Sequence, residues 1–313
     1  MSGELSSSCF VENLSHTYGD KKAVDSLSLN VRGGEIVAVL GKNGSGKTTL
    51  FRVLSTLLPV QSGTVLIDGV NVDTDPMSAR RRLGIIFQSP SLDIKLTVLE
   101  NMKCQGALYG LSGVELNRRC DELLAQFSLS ERRNELCQTL SGGLKRRVEL
   151  AKGLLHRPSV MLLDEPSTGL DPSARLALWH SLESLAAEGA VVILTTHLMD
   201  EAAKASRVVL LDEGKKVADA APSDLQREVG DRVLTVVADD MDAAERLLRV
   251  ELSLACQRVN KTLRVNVDGS ITDIADLVGT VTRKLGENAI SVSIGRASLE
   301  DVFVAKTGKA FVE

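Results

Sequence analysis

The stretch that most constrains this chain is EIVAVLGKNGSGKTT, residues 35–49. A short apolar run, rich in Val and Ile, has the length of a buried strand. It leads into Gly41–Thr48 (Gly41, Lys42, Asn43, Gly44, Ser45, Gly46, Lys47, Thr48), which fits G-x-x-x-x-G-K-[ST] at every position. A helical pattern follows over about Thr48–Leu57, closed by Pro59 and Ser62-Gly63. Strand, glycine-rich turn and helix in that order make a phosphate cradle. Gly44 and Gly46 let backbone N–H groups wrap the oxygens, and Thr49, beside Thr48 at the helix start, is also expected to bind the nucleotide. Lys47 reaches for the β- and γ-phosphate oxygens, and Thr48 offers its hydroxyl to Mg2+.

The rest of the first 220 residues is consistent with a sheet that delivers this loop. Residues 10–40 alternate in strand fashion, with turns at Tyr18-Gly19-Asp20 and Arg32-Gly33-Gly34, and read as antiparallel strands. GTVLIDG and RLGIIFQ are two more strands, the second ending at Gln88. Residues 97–157 are mostly helical by pattern, with breaks at Gly110, Ser112-Gly113 and Ser128, and form an insert. From residue 158 strands alternate with helices: VMLLDEP, a helix over about Ala174–Glu188, VVILTTH, a short helix, RVVLLDEG and KKVADA. That alternation predicts a parallel sheet with helices packed on it.

VMLLDE, Val160–Glu165, is four apolar residues followed by two acids. Burial drives the strand and its end delivers the carboxylates. Asp164 is expected on Mg2+. Glu165, one residue on and across the pleat, is expected to polarise the attacking water.

A second anion site is suggested by LSGGLKRR, residues 140–147, ahead of a predicted helix over Leu144–His156. Ser141 supplies a hydroxyl, Gly142 and Gly143 permit close backbone approach, and a helix start favours negative charge. A phosphate loop, LSGG and an acid pair in this order resemble the ATP-binding-cassette (ABC) ATPases over about residues 10–220. The resemblance implies a P-loop cassette with a RecA-like core, an antiparallel β subdomain and an α-helical subdomain. It also implies two ATPs shared in a head-to-tail homodimer, where Ser141, Gly142 and Gly143 bind the γ-phosphate of ATP held by the other copy. Position by position it implies adenine stacking by Tyr18, Mg2+ and water sensing by Gln88, and a γ-phosphate contact from His197. Ser167–Asp171 then carries dimer contacts. Leu144 stands where the family often has glutamine, and Ser167 where threonine is commoner; neither change touches the catalytic groups. His16, His156 and His180 carry no functional expectation.

A narrower resemblance rests on SLD after Gln88, the basic residues after LSGG and the terminal SLEDVFVAKTG. These resemble the ATPase subunits of daunorubicin-resistance-type exporters. That group implies a separate ABC-2 type membrane permease as partner, a cytoplasmic, peripheral location, and outward transport of drugs, lipids or glycans.

With 313 residues, two domains are expected. The pattern changes near PSDLQREVGD, residues 222–231, which sets a cassette over 1–225, its helical insert at about 95–157, and a small α+β domain over 226–313. In the latter, RVLTVVA, TLRVNV and AISVSI read as strands and DDMDAAERLLRVEL as a helix. Ile271, Ile274, Val278, Val281 and Leu285 share one face of another helix, and SLED has capping-box spacing on the last. The 37 basic and 41 acidic side chains give a net charge of −4 with no basic tract, which argues against a nucleic-acid partner. Five cysteines without a C-x-x-C argue against a disulfide framework or zinc site. No stretch reads as a signal peptide or a membrane span. The competing expectations are a soluble cassette acting on ribosomes or nucleic acid, and a module that uses ATP only as a clamp.

Overall fold

The structure, a computed structural model, describes residues 8–230, 232–267 and 274–311. It divides into two compact units, Met1–Lys216 and Val217–Glu313. The division falls ahead of the 225/226 boundary expected from sequence, so helix Pro222–Val229 goes with the second unit. The reason is packing: its Leu225 and Val229 are buried, and Lys306 Nζ of the last helix reaches Glu228 Oε2 at 2.7 Å.

A six-stranded sheet, five of whose strands lie wholly in the first unit while Lys215–Ala220 crosses the division, runs in the order Lys215–Ala220, Arg207–Asp212, Ile36–Gly41, Val191–Thr196, Val160–Asp164, Leu83–Ile86. The four pairings among the last five strands are parallel. Every residue of Ile36–Gly41, Val160–Asp164 and Val191–Thr196 is buried. Strands covered on both faces carry unbroken apolar runs, which is why these three read so clearly in sequence. Register aligns their carboxyl ends: Leu40 pairs Thr196, Asp164 pairs Thr195, and Gly41 pairs Leu211. Open α/β sheets bind ligands at that edge.

An antiparallel sheet of Lys21–Arg32, Ser8–Tyr18, Ser62–Ile67 and Val70–Asn71 shares one core with the parallel sheet and with helix Lys47–Leu54. The insert holds helices Val98–Leu108, Gly113–Gln126 and Gly142–Gly153. The second unit is an antiparallel sheet in the order Cys256–Val259, Thr262–Val267, Arg232–Ala238, Ala289–Arg296. Helices Met241–Arg246 and Ile274–Leu285 cover it, and their apolar faces form a separate core. The helix expected from DDMDAAERLLRVEL is α only to Arg246 and widens into a π-type turn over Leu247–Glu251. Ile271 lies outside the described residues. The last helix, Leu299–Thr307, opens with a complete capping box between Ser298 and Asp301.

Candidate nucleotide site

Helix Lys47–Leu54 starts at Gly46, whose φ is 108°. A Cβ there would lie 2.3 Å from the Ala23 carbonyl oxygen, so both the backbone angle and the space demand glycine. Gly44 also has positive φ, 81°, but a Cβ there meets nothing within 4 Å. Its open side is where a ligand can approach. At Gly41 a Cβ would press on Ser45 Oγ at 2.4 Å and on the Leu211 carbonyl oxygen at 2.5 Å. Lys47 Nζ donates to the carbonyls of Gly41 at 2.7 Å and Lys42 at 3.0 Å, which arches it across its own loop. Burial holds the Lys47 ammonium below the usual lysine pKa, while Glu165 and Asp164 pull it back up. Ser45 Oγ is buried without a hydrogen-bond partner. An orphaned hydroxyl, a folded-back lysine and a glycine with an open face fit a bound phosphate chain.

Tyr18, Asn43, Gly44, Gly46, Lys47, Thr48, Thr49 and Glu165 line one cavity of about 200 Å³. Tyr18 ends the first strand with its ring half exposed, held edge-on by buried His16 at 4.9 Å between centroids. Lys21 and Ala23, which no motif in the sequence singles out, line the same cavity.

The two acids are separated by backbone, and the pleat is not the cause. The strand ends at Asp164, and Glu165 has a left-handed φ of 44°. The expectation that Glu165 faces across the pleat is therefore corrected: a turn redirects it, and Thr195 pins that turn. The Glu165 N–H donates to the Thr195 carbonyl and hydroxyl, both at 3.1 Å. Thr195 Oγ1 donates to Asp164 Oδ1 at 2.5 Å. Thr195 was missed in sequence; its signal is a polar pair, Thr195-Thr196, closing an apolar strand. Burial raises the Asp164 pKa above the ordinary value and the Thr195 hydrogen bond partly lowers it.

Glu165 is the hub of a second group. Gln88 Nε2 donates to its Oε2 at 3.1 Å, Thr168 Oγ1 reaches the same oxygen at 3.4 Å, and His197 Nδ1 lies 3.2 Å from Oε1. Gln88 does not end its strand, which stops at Ile86; the side chain projects from the loop beyond. Among the described residues no group of three or more His, Cys, Asp or Glu forms a metal cage. Mg2+ carried by phosphates needs only one or two carboxylates, so the lack of such a group does not bear on the expected donors Thr48, Asp164 and Gln88.

Ser141, Gly142 and Gly143 do not line the phosphate-loop cavity. The helix begins at Gly142, two residues before the expected start, and ends at Gly153. Ser141 is its N-cap, accepting the Leu144 N–H at 3.4 Å. A hydroxyl that accepts from the helix keeps its proton to donate elsewhere. Ser141 and Gly142 are exposed.

A phosphate loop, an acid turn and a glutamine–histidine pair at the carboxyl edge of a parallel sheet define a nucleoside-triphosphate-hydrolysing cassette. The chain belongs to the ABC transporter family, whose pattern matches residues 24–168. It is 36% identical over 304 residues to a daunorubicin resistance ATP-binding protein of Streptomyces coeruleorubidus, covering 95% of this chain and 94% of that protein. It is 35% identical over 304 residues to the Nod factor export ATP-binding protein I of Ralstonia nicotianae, covering 96% and 93%. Among solved structures, an ATP-binding subunit of an ABC transporter superposes with a TM-score of 0.65 at 31% identity, over 70% of this chain and 92% of that one. A dimeric bacterial ABC transporter cassette superposes with a TM-score of 0.62 at 29% identity, over 68% and 98%. The chain is thus an ATP-binding, ATP-hydrolysing transport subunit of this family. No helix among the described residues is long and apolar enough to cross a membrane.

Proposed function

We propose that two copies of this chain close head to tail on two ATPs and drive an ABC-2 type permease that exports a drug, lipid or glycan. The observation that carries the two-copy reading is the split of the anion-binding parts. The cavity at the phosphate loop is about 200 Å³, below the roughly 300–1,000 Å³ of sites that enclose a drug-sized ligand. The Ser141-Gly142-Gly143 helix start, exposed at Ser141 and Gly142, lies elsewhere on the same chain, so a second copy supplies the missing cover. That a relative cassette is dimeric supports the same arrangement.

In this reading Tyr18 stacks on adenine, residues Gly41–Thr49 wrap the phosphates, and Lys47 swings from its own loop carbonyls onto the outer phosphates. Thr48, Asp164 and Gln88 would hold Mg2+, which would offset the negative charge of the phosphates. Glu165 takes the proton of the attacking water as it adds to the γ-phosphorus and the β–γ bridging oxygen departs with ADP. Gln88, hydrogen-bonded to the Glu165 carboxylate, and His197, with its Nδ1 3.2 Å from it, orient it, and the Thr195-pinned turn limits its travel. Closure is a rigid-body switch whose differential contacts come from the γ-phosphate, and Ser167–Asp171 contributes contacts between copies.

The export reading is supported by the names of the relatives, which are drug-resistance and Nod factor export ATP-binding proteins. It places the chain on the cytoplasmic face of the membrane, bound through the permease. The segment after Gln88 contacts that partner, and the second unit stabilises or regulates the pair. The test is a tagged Glu165→Gln chain, which traps ATP without cleaving it. It is expressed in its host, extracted from membranes with Mg-ATP, and its co-purifying proteins are identified by mass spectrometry. A stoichiometric multi-span protein is expected; recovery of ribosomal or DNA-repair proteins alone overturns the export reading.

A further inference from the structure

Helix Gly142–Gly153 buries three charged side chains on one face. Arg146, Glu149 and Lys152 recur every third residue and are 6%, 2% and 8% exposed. Lysine, arginine and glutamate are almost never so buried unless paired, and none of the three has a part in the nucleotide chemistry described above. Their partners lie on two other segments. Arg146 Nη1 donates to the Phe87 carbonyl at 2.7 Å and to Glu149 Oε2 at 2.9 Å. Its Nε donates to the Pro166 carbonyl at 2.7 Å, and its Nη2 reaches the Glu165 carbonyl at 3.5 Å. Glu149 Oε1 accepts the Ser91 N–H at 2.6 Å, and Lys152 Nζ donates to the Ser91 carbonyl at 2.8 Å. One helix therefore grips the Gln88 loop on both sides, at 87 and 91, and the Glu165 turn from behind.

We propose that Arg146, Glu149 and Lys152 form a positioning cluster that locks Gln88 and Glu165 to the helix whose start carries Ser141-Gly142-Gly143. Engagement of the other copy's ATP by that helix start is thereby transmitted to the catalytic pair of the same chain. The inference rests on the two-copy reading above. Apart from the Arg146–Glu149 pair itself, every group the cluster grips is a main-chain N–H or carbonyl, so it fixes backbone position and performs no chemistry. A planar guanidinium with five donors in a fixed fork can hold Phe87, Pro166 and Glu149 at once; an ammonium cannot match that geometry.

The test uses the full chain carrying Arg146→Gln or Arg146→Lys, read by steady-state ATP hydrolysis beside the thermal unfolding midpoint. Arg146→Gln is expected to lower kcat by about tenfold or more while KM for ATP stays within about twofold, because the phosphate loop is untouched. Arg146→Lys, which keeps the charge next to Glu149, recovers part of kcat. Unchanged kcat per folded molecule, with only a lowered midpoint, overturns the proposal. If Arg146→Gln does not fold, Lys152→Met is read by the same split, since it loses the Ser91 bond and the ammonium charge near Glu149 but keeps an apolar stem. Wild-type hydrolysis and ATP-driven dimerisation of Glu165→Gln are the controls. Failure of the controls removes the two-copy reading, whereas normal controls with unchanged kcat remove the cluster alone.

Discussion

At the residue scale the phosphate loop separates two demands that glycine meets. Gly44 and Gly46 both hold left-handed backbone, yet only Gly46 is also crowded, since a Cβ added there would sit 2.3 Å from the Ala23 carbonyl oxygen. Gly44→Ala is expected to cost about 1–2 kcal/mol of backbone strain and to weaken ATP binding by blocking an open face. Gly46→Ala adds overpacking of about 1–3 kcal/mol to that strain. Paired thermal melts should therefore rank Gly46→Ala well below Gly44→Ala, and equal midpoints would contradict the packing argument. Asp164 is a second case. Its folded-state pKa is raised by burial, so between its unfolded and folded pKa values the folded chain binds the extra proton. Stability contributed there falls as pH rises through that window. At neutral pH the charged carboxylate is therefore a net cost to the fold. Asp164→Asn, which can still accept from Thr195 Oγ1, is expected to raise the unfolding midpoint by a few degrees. The gain should shrink on acidification, and ATP hydrolysis should fall by roughly a hundredfold or more. A lowered midpoint at neutral pH would refute the burial argument.

At the element scale the last helix tests how much a cap is worth when it is shared. Ser298 and Asp301 exchange hydrogen bonds at 2.8 and 3.2 Å across the helix start. Asp301 also takes Arg264 Nη1 at 2.6 Å, and Glu300 takes Nη2 at 3.1 Å. Ser298→Ala removes the bond its hydroxyl accepts from the Asp301 N–H and the one it donates to Asp301 Oδ2, and is expected to cost about 1 kcal/mol. Asp301→Ala removes its part of the cap and strips a half-buried guanidinium of its nearer partner, for about 2–4 kcal/mol. Hydrogen exchange of Leu299–Thr307 in the full chain should show the larger loss of protection for Asp301→Ala. Equal losses would mean Arg264 contributes nothing. This cap was legible in SLED because its parts are contiguous, as are those of the phosphate loop. The buried strands were legible because sheets covered on both faces leave unbroken apolar runs. What was not legible had its partner far along the chain or in the backbone. Arg146 reads as one basic residue among several, since the carbonyls it holds at 87 and 166 leave no mark on side-chain pattern. Glu165 reads as the next residue of a strand, since its left-handed turn is enforced by Thr195, thirty positions away.

At the scale of the whole molecule, the site residues fall into two groups that one copy keeps apart. One gathers at the carboxyl edge of the parallel sheet around Lys47 and Glu165; the other is the exposed helix start at Ser141 and Gly142. The proposed two-fold dimer would join one group from each copy, because a self-complementary interface repeats every contact twice. That geometry makes a prediction no single-chain site can satisfy. Lys47→Ala destroys the phosphate loop, and Ser141→Arg fills the helix start with a bulky cation. Each variant alone is expected to be inactive. In a mixed dimer one site combines both defects, but the other joins the intact loop of the Ser141→Arg copy to the intact helix start of the Lys47→Ala copy. Random mixing gives about half mixed dimers with one sound site in two, so hydrolysis should return to at most about a quarter of wild type. ATP-dependent association of the two tagged variants, followed by sedimentation, checks the same point even where turnover needs both sites. If neither turnover nor association returns on mixing, the two groups are not shared between copies, and the helix start at Ser141 must serve some other anion.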